Sequence, residues 1–367
     1  MRLADLIGVP SERLAMFPSG RAALRAALTS LAQTQTAAAH SVLLPAFTCP
    51  VVEQQVVRAG YRPTHYDFCS SNGALDWDAI AQQVSTHPDL SAVIVTHLFG
   101  VPVDFRPIVE VCRERNIIII EDCSHCIGGR IGPHAVGTVG DLAFFSFNYD
   151  KPITLGWGGA LVAAYRDLPQ PTKFDQLDSE VEFAIVRSLD AWYRQRRSQV
   201  GIRASLLRSR AAWRRVAERK SSKPHYRPVL SDSRIGIGPV RARLGLLQIE
   251  RYGKTMKWRN DNARKLSELV GRDKMWHVDS DVKPAWLKAK VFTSSPYSAR
   301  LISKRAQSSG FRVGIFNWPT VTEHAHPEVN PWSQLITLQS LDAPIHQNMK
   351  LRDVIRLAQT LKAGPLL

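Results

Sequence analysis

No stretch of this 367-residue chain is apolar for the roughly 18 consecutive residues that a bilayer span requires. The opening MRLADLIGVPSER also lacks the unbroken apolar core of a signal peptide, so a cytoplasmic location is expected. Cysteine is scarce. The five present, Cys49, Cys69, Cys112, Cys123 and Cys126, are an odd number, which argues against a secreted disulfide framework and suits a reducing compartment. Acidic residues are few, 32 against 48 Lys and Arg, leaving a formal charge of +16. Such an excess calls for an anionic partner: a phosphorylated substrate, a nucleic acid or a membrane surface. Internal repeats and low-complexity tracts are absent, which excludes solenoids and fibrous arrays. At 44% hydrophobic and 22% charged, the chain has the composition of a folded protein with a sizeable core.

Residues 19–165 alternate short β-rich runs with longer helical ones, the pattern of a parallel sheet covered on both faces. Strands are predicted at SVLLP from Ser41, RPTHYD from Arg62, SAVIVTH from Ser91, IIIIED from Ile117, LAFFSF from Leu142 and GALVAA from Gly159. Several are apolar at successive positions, as strands buried on both faces are. RAALRAALTSLAQ, PVVEQQVVRAG, WDAIAQQVS and FRPIVEVCRERN show apolar residues at helical spacing. The composition then changes. Between Arg187 and Arg227 stand 13 basic and 2 acidic residues, punctuated by Trp192, Tyr193 and Trp213, which reads as a basic amphipathic helical insert broken near Gly201. Beyond it, a long helical stretch from Val240 leads into a mixed α/β tail with strands at KAKVFTSSP and FRVGIFNWP and an amphipathic final helix, MKLRDVIRLAQTLK. The expected division is 1–180 as a large α/β domain, 181–230 as the insert, and 231–367 as a helical connection with a smaller C-terminal α/β domain.

Three places could carry chemistry. Lys151 leaves a buried strand through a Gly-rich bend, near the sheet edge where doubly wound folds bind ligands, although a surface loop lysine reads as well. Asp122 ends the apolar strand IIIIED, where a carboxylate either caps the next turn or faces a cation, and His125 follows within reach of the same ligand or of a turn hydrogen bond. Ser19 and Gly20 precede a strongly helical segment, whose N-terminus is either a phosphate cradle or a simple Ser cap. Ser146 adds a hydroxyl at a strand end. Cys123 and Cys126 have redox or zinc spacing but lack further ligands, so no metal is expected and buried structural thiols are the better reading. His65 and His97 stay open between packing and site.

A phosphate cradle, an acid at a strand end and a lysine beyond a later strand are together what pyridoxal phosphate requires. With SGRAAL, VLLPAFTCPVV, AGYRPTHYD, VTHLFGVPVD, IIIIEDCSHCIGG, VGTVGDLAFFSFNYDKPITLGWGGALV, VRARLGLLQIERY and LDAPIHQNMKLRDVIRLAQTLK in order, the chain resembles the DegT/DnrJ/EryC1/StrS sugar aminotransferases. The resemblance implies fold type I of the pyridoxal-phosphate enzymes and a homodimer with sites at the subunit interface. It implies Lys151 as the lysine that links the cofactor and Asp122 as the partner of its ring nitrogen. His125 falls near the cofactor's phenolic oxygen, and Ser19, Gly20, Arg21, Ala22 and Ser146 fall around its phosphate.

The chain departs from the family at four places. Cys49 stands where an aromatic residue often stacks on the ring, Arg21 replaces a Thr, Arg234 replaces an Asn that reaches the partner subunit's phosphate, and Phe316 replaces a substrate-site His. The implied activity moves an amino group from an amino acid, glutamate being the expected donor, to a keto sugar, nucleotide-linked, for surface polysaccharide or secondary-metabolite synthesis. A lysine at 151, where the dehydratase branch has histidine, favours transamination. Two alternatives remain: a non-sugar ketone as acceptor, or a non-catalytic member whose Arg-rich insert binds an anionic membrane or partner, placing the protein at the membrane's inner face. The insert has no nucleic-acid-binding motif.

Overall fold

The computed structural model describes residues 2–31, 40–164, 178–197, 236–315 and 328–364. A short helix α1 (Leu3–Ile7) leads to strand β1 (Leu14–Phe17) and helix α2 (Gly20–Leu31). The chain then alternates: β2 (Ser41–Pro45), α3 (Pro50–Arg58), β3 (Arg62–Tyr66), α4 (Trp77–Thr86), β4 (Leu90–Thr96), α5 (Val109–Glu114) and β5 (Ile118–Asp122). A small hairpin of β6 (Arg130–Ile131) and β7 (His134–Ala135) precedes β8 (Leu142–Ser146) and β9 (Gly159–Ala163). The six strands expected from sequence all form. β1 is an addition to them.

Seven strands make one sheet in the order β1-β9-β8-β5-β4-β2-β3. Pairing is parallel from β3 through β2, β4 and β5 to β8, while β9 runs antiparallel to both β8 and β1. β1 therefore points the same way as β8. Successive side chains alternate between two cores. Val42, Leu44, Ile94, Ile120, Phe144 and Leu161 face Leu24, Leu28, Val52 and Val56 of α2 and α3. Leu43, Val93, Val95, Ile119, Phe145 and Val162 face the other way, onto Ile80, Val84, Ile108 and Cys112. Strands buried on both faces are why the sequence runs apolar without alternation.

Helix α6 (Ser179–Arg197) begins at the expected insert, and its Ile185 and Leu189 are buried against Tyr149 and Trp157. Residues 198–235, with most of the basic stretch and Gly201, lie outside the described residues. The helical stretch from Val240 is two helices, α7 (Pro239–Glu250) and α8 (Tyr252–Val270), broken at Arg251. The tail holds β10 (Val282–Lys283), which extends the β6–β7 hairpin, then β11 (Ala289–Phe292), α9 (Pro296–Ser308), β12 (Gly314–Ile315), α10 (Pro331–Gln339), β13 (Ser340–Ala343) and α11 (Leu351–Lys362). The expected strand at FRVGIFNWP is described only at Gly314–Ile315, and Phe316 lies outside the described residues.

The antiparallel sheet β11-β13-β12 shares a third core with Leu266, Ile302, Ile336 and Leu357. Phe47, Phe68, Leu98 and Phe99, from the loops that follow β2, β3 and β4, belong to this same core. The C-terminal sheet thus closes over one edge of the central sheet. Asp67 reinforces the seam by accepting hydrogen bonds from the Trp332 and Ser333 N–H groups, both 3.0 Å, and from the Ser333 hydroxyl, at the start of α10.

Candidate active site

In the doubly wound pattern, ligands bind beyond the carboxyl ends of parallel strands, where the strand order reverses. That reversal lies between β2 and β4, with β5 and β8 beyond them. A cavity opens there. Its wall takes Cys49 from the loop after β2, Thr96 from the end of β4, Asp122 from the end of β5 and Ser146 from the end of β8. Because β1 is parallel to β8, its C-terminal end also reaches this edge and brings Gly20 and Arg21 to the wall, joined by Ser124, His125, Asn148 and Lys151. Asn148 also links this cavity to a neighbouring one lined by Ser19, Gly20, Arg21, Ser146 and Trp157.

The phosphate end follows from α2. The N–H groups of a helix's first turn have no partner within the helix, and its dipole favours an anion there. Ser19 accepts the Ala22 N–H at 3.2 Å, so the capping reading of Ser19 holds. The Ala22 N–H, expected at the phosphate, is donated to Ser19 Oγ in this structure. Ser19, Gly20, Arg21 and Ser146 line the two cavities at this corner. A β-carbon at Gly20 would come to 2.9 Å from Ser146 Cβ and 3.2 Å from the Phe145 carbonyl oxygen, filling this corner. Arg234 lies outside the described residues.

Asp122 is 4% exposed. Burial pushes its carboxyl above the usual range, against the hydrogen bonds from Ser124 and the charge of Lys151, which pull it down. The Ser124 N–H is 2.9 Å from Oδ1. The charged form of a carboxyl buried in this way would be favoured by a cationic N–H placed against it. His125 Nδ1 accepts the Phe99 N–H at 3.3 Å, which leaves the ring proton on Nε2. Burial, helped by Lys151 and Lys288, holds its pKa well below the usual value, so the imidazole is neutral and a donor. Burial likewise raises the Cys49 thiol, which makes it a poor thiolate at neutral pH.

Next to Asp122 stands a residue the sequence reading passed over. Glu121 is fully buried. Its Oε2 accepts the Gly137 N–H at 2.8 Å and His97 Nε2 at 3.0 Å; its Oε1 accepts Val139 N–H at 2.9 Å and Gly140 N–H at 2.7 Å. His97 Nδ1 in turn accepts the Val103 N–H at 3.0 Å. His97, Glu121 and Cys123 lie close enough to suggest a metal site. His97 donates from Nε2 to Glu121 and accepts the Val103 N–H at Nδ1, and both carboxylate oxygens accept N–H groups, so the cluster is a brace between loops. His65 pairs with Glu53 at 2.8 Å, both buried. Cys123 and Cys126 are buried free thiols, as expected.

Phe99, which positions His125, adopts a left-handed backbone (φ 58°), uncommon for an aromatic residue. Its ring lies 4.9 Å under Nζ of Lys290, itself fully buried, 2.9 Å from Asp342 Oδ1 and 3.0 Å from Ser340 Oγ.

Residues 2–171 match the sequence model of the DegT/DnrJ/EryC1/StrS aminotransferase family. The GDP-perosamine synthase of Escherichia coli O157:H7 is 31% identical over 144 residues, 39% of this chain and 38% of that protein. The dTDP-4-dehydro-2,3,6-trideoxy-D-glucose 4-aminotransferase of Saccharopolyspora spinosa is 27% identical over 203 residues, 54% of this chain and 51% of that protein. The matched stretch thus spans less than two thirds of these relatives. Among solved structures, the aminotransferase TlmJ from Streptoalloteichus hindustanus superposes with a TM-score of 0.69 at 20% identity, covering 98% of this chain and 88% of TlmJ, a likeness of fold. Aminotransferases of this family use pyridoxal phosphate. The cavity fits that group: an anion corner that a β-carbon would fill, a buried carboxylate for the ring nitrogen, a neutral imidazole donor and a lysine on the wall.

Proposed function

We propose that this chain, whose residues 2–171 carry the pattern of the DegT/DnrJ/EryC1/StrS aminotransferase family, is a pyridoxal-phosphate-dependent aminotransferase acting on a nucleotide-linked keto sugar. The observation that carries the reading is the meeting of Asp122, His125, Lys151 and the Gly20–Ser146 corner on one cavity, from segments up to 131 residues apart in sequence. The names of the relatives, which act on GDP- and dTDP-linked sugars, support the acceptor class. The basic excess of the chain suits a phosphorylated acceptor.

When bound, pyridoxal phosphate supplies the electron sink that stabilises negative charge at the amino acid's α-carbon. The chain's residues do the rest. Gly20, Arg21 and Ser146 would hold the phosphate at the start of α2. Asp122, ionised once a cationic ring N–H faces it, would keep the proton on the ring nitrogen. His125 would donate from Nε2 to the phenolic oxygen. The amine of Lys151 would take the proton from the donor's α-carbon and deliver it to the other side of the nitrogen, so that one base serves both half-reactions.

A homodimer is part of the proposal. Phe183 on α6 and Leu246 and Leu247 on α7 are 54%, 38% and 40% exposed, large apolar side chains that a second copy would cover. Light scattering on purified protein distinguishes a dimer from a monomer. Peripheral attachment to an anionic membrane is supported by the composition of residues 187–227 and is tested by sedimentation with anionic and neutral liposomes across a salt series.

The catalytic reading is tested by adding glutamate to the cofactor-loaded protein. The expected result is loss of the pyridoxal absorbance with stoichiometric 2-oxoglutarate, reversed by a GDP- or dTDP-linked 4-keto sugar. Absence of keto-acid formation from any common amino acid would overturn it.

A further inference from the structure

The loop that carries Lys151 is held from outside the central sheet. The Lys151 N–H closes a turn onto the Asn148 carbonyl at 3.1 Å, and the Leu155 N–H returns to the Phe147 carbonyl at 2.8 Å, leaving Lys151 near the tip. Thr154, three residues on, is buried and directs both of its backbone groups at one side chain 94 residues away. Its N–H donates to Gln248 Oε1 at 3.0 Å, and Gln248 Nε2 donates to its carbonyl at 2.8 Å. The same Nε2 is 3.2 Å from the Leu244 carbonyl of its own helix, so a flipped amide would set oxygen against two oxygens. Gln248 therefore pairs with Thr154 as a neighbouring strand would.

The helix that presents it is itself anchored. Glu182 of α6, fully buried, accepts the N–H groups of Gly238 at 2.8 Å and Val240 at 3.0 Å, at the start of α7, and Arg241 Nε at 2.8 Å. Gly245 allows α7 to lie close on the loop, since a β-carbon there would meet Leu155 at 3.3 Å. One rigid element thus ends on the loop of the reactive lysine.

We infer that Gln248 is a positioning residue that sets where Lys151 stands in the cavity. The role deepens the reading proposed above and rests on it. A lysine side chain is flexible, so the position of its amine depends on the backbone that carries it, and displacements of about 1 Å at a reacting group can cost a hundredfold in rate. Without the amide, two buried backbone groups of Thr154 lose their partner, and the loop must shift to recover one.

The test uses the full chain and three proteins: wild type, Gln248→Met, which fills the space without an amide, and Gln248→Glu, which keeps the acceptor and loses the donor to Thr154. Hydrogen exchange of cofactor-free protein reads the loop. Borohydride fixation of pyridoxal phosphate, followed by peptide mapping, reads Lys151. Gln248→Met is expected to raise exchange over residues 151–156 about tenfold and to raise the cofactor concentration for half-fixation about tenfold, with central-sheet peptides unchanged. Gln248→Glu is expected to fall between. Unchanged fixation in both variants overturns the role, as does a rise in exchange that includes the central sheet. Fixation absent at Lys151 in the wild type overturns the cofactor reading and this role with it.

Discussion

Replacing Glu121 by glutamine exchanges one oxygen for one nitrogen in a fully buried group, so shape and volume are kept and no cavity is made. The hydrogen bonds are not kept. If the amide nitrogen takes the place of Oε2, it faces the Gly137 N–H, 2.8 Å away, and the Nε2 proton of His97, 3.0 Å away; turned over, it faces the Val139 and Gly140 N–H groups. Either way two buried donors lose their acceptor. His97 cannot escape by moving its proton to Nδ1, because Nδ1 accepts the Val103 N–H. A buried donor left without an acceptor costs about 1–3 kcal/mol, so the variant loses about 2–6 kcal/mol, a large part of the roughly 5–15 kcal/mol that holds a typical domain. Urea denaturation of the cofactor-free protein measures this directly, as a lowered midpoint with an unchanged slope. A loss under about 1 kcal/mol would refute the reasoning, since even one orphaned buried donor costs that much.

Gly20→Val should fill the corner against Ser146 and weaken pyridoxal phosphate binding by tenfold or more, measured by absorbance titration, while leaving the central sheet folded; unchanged affinity would remove the phosphate from that corner. Lys290 should leave a signature in the pH dependence of stability. Burial, only partly offset by Asp342, lowers its pKa to about 8 from the unfolded 10.5. Between these values the unfolded chain binds the proton more tightly, so this group's contribution to stability rises with pH across that window. Denaturation of wild type and Lys290→Met from pH 7.5 to 10.5 should show the difference between them shifting in the wild type's favour as pH rises; a constant difference would contradict the assignment.

The runs SVLLP, SAVIVTH and IIIIED were legible as strands because each is buried on both faces, so apolarity alone marks them. LAMF, which became β1, was not: it is four residues long, only two of them buried, and it becomes a strand by pairing with β9 more than 140 residues later. The site shows the same division. Asp122, His125, Ser146 and Lys151 stand at strand ends or just beyond them, where position in the pattern already places them at the ligand edge. Ala22 was placed by the family resemblance alone, and nothing in its residue type marks it for the site. Glu121 carried a signal that went unused, a charged residue inside an all-apolar strand, which must be satisfied by something distant. Gln248 carried none, since its two hydrogen bonds to Thr154 go to backbone groups and leave no mark on the sequence there.

The central claim is that Lys151 is the residue that takes the cofactor. Purified protein incubated with pyridoxal phosphate, reduced with borohydride and mapped by peptide mass spectrometry tests it directly. The account predicts one fixed pyridoxyl group, on Lys151, and its loss together with the bound-cofactor absorbance in a folded Lys151→Ala variant. A fixed group on another lysine, or an unchanged spectrum in that variant, would contradict it.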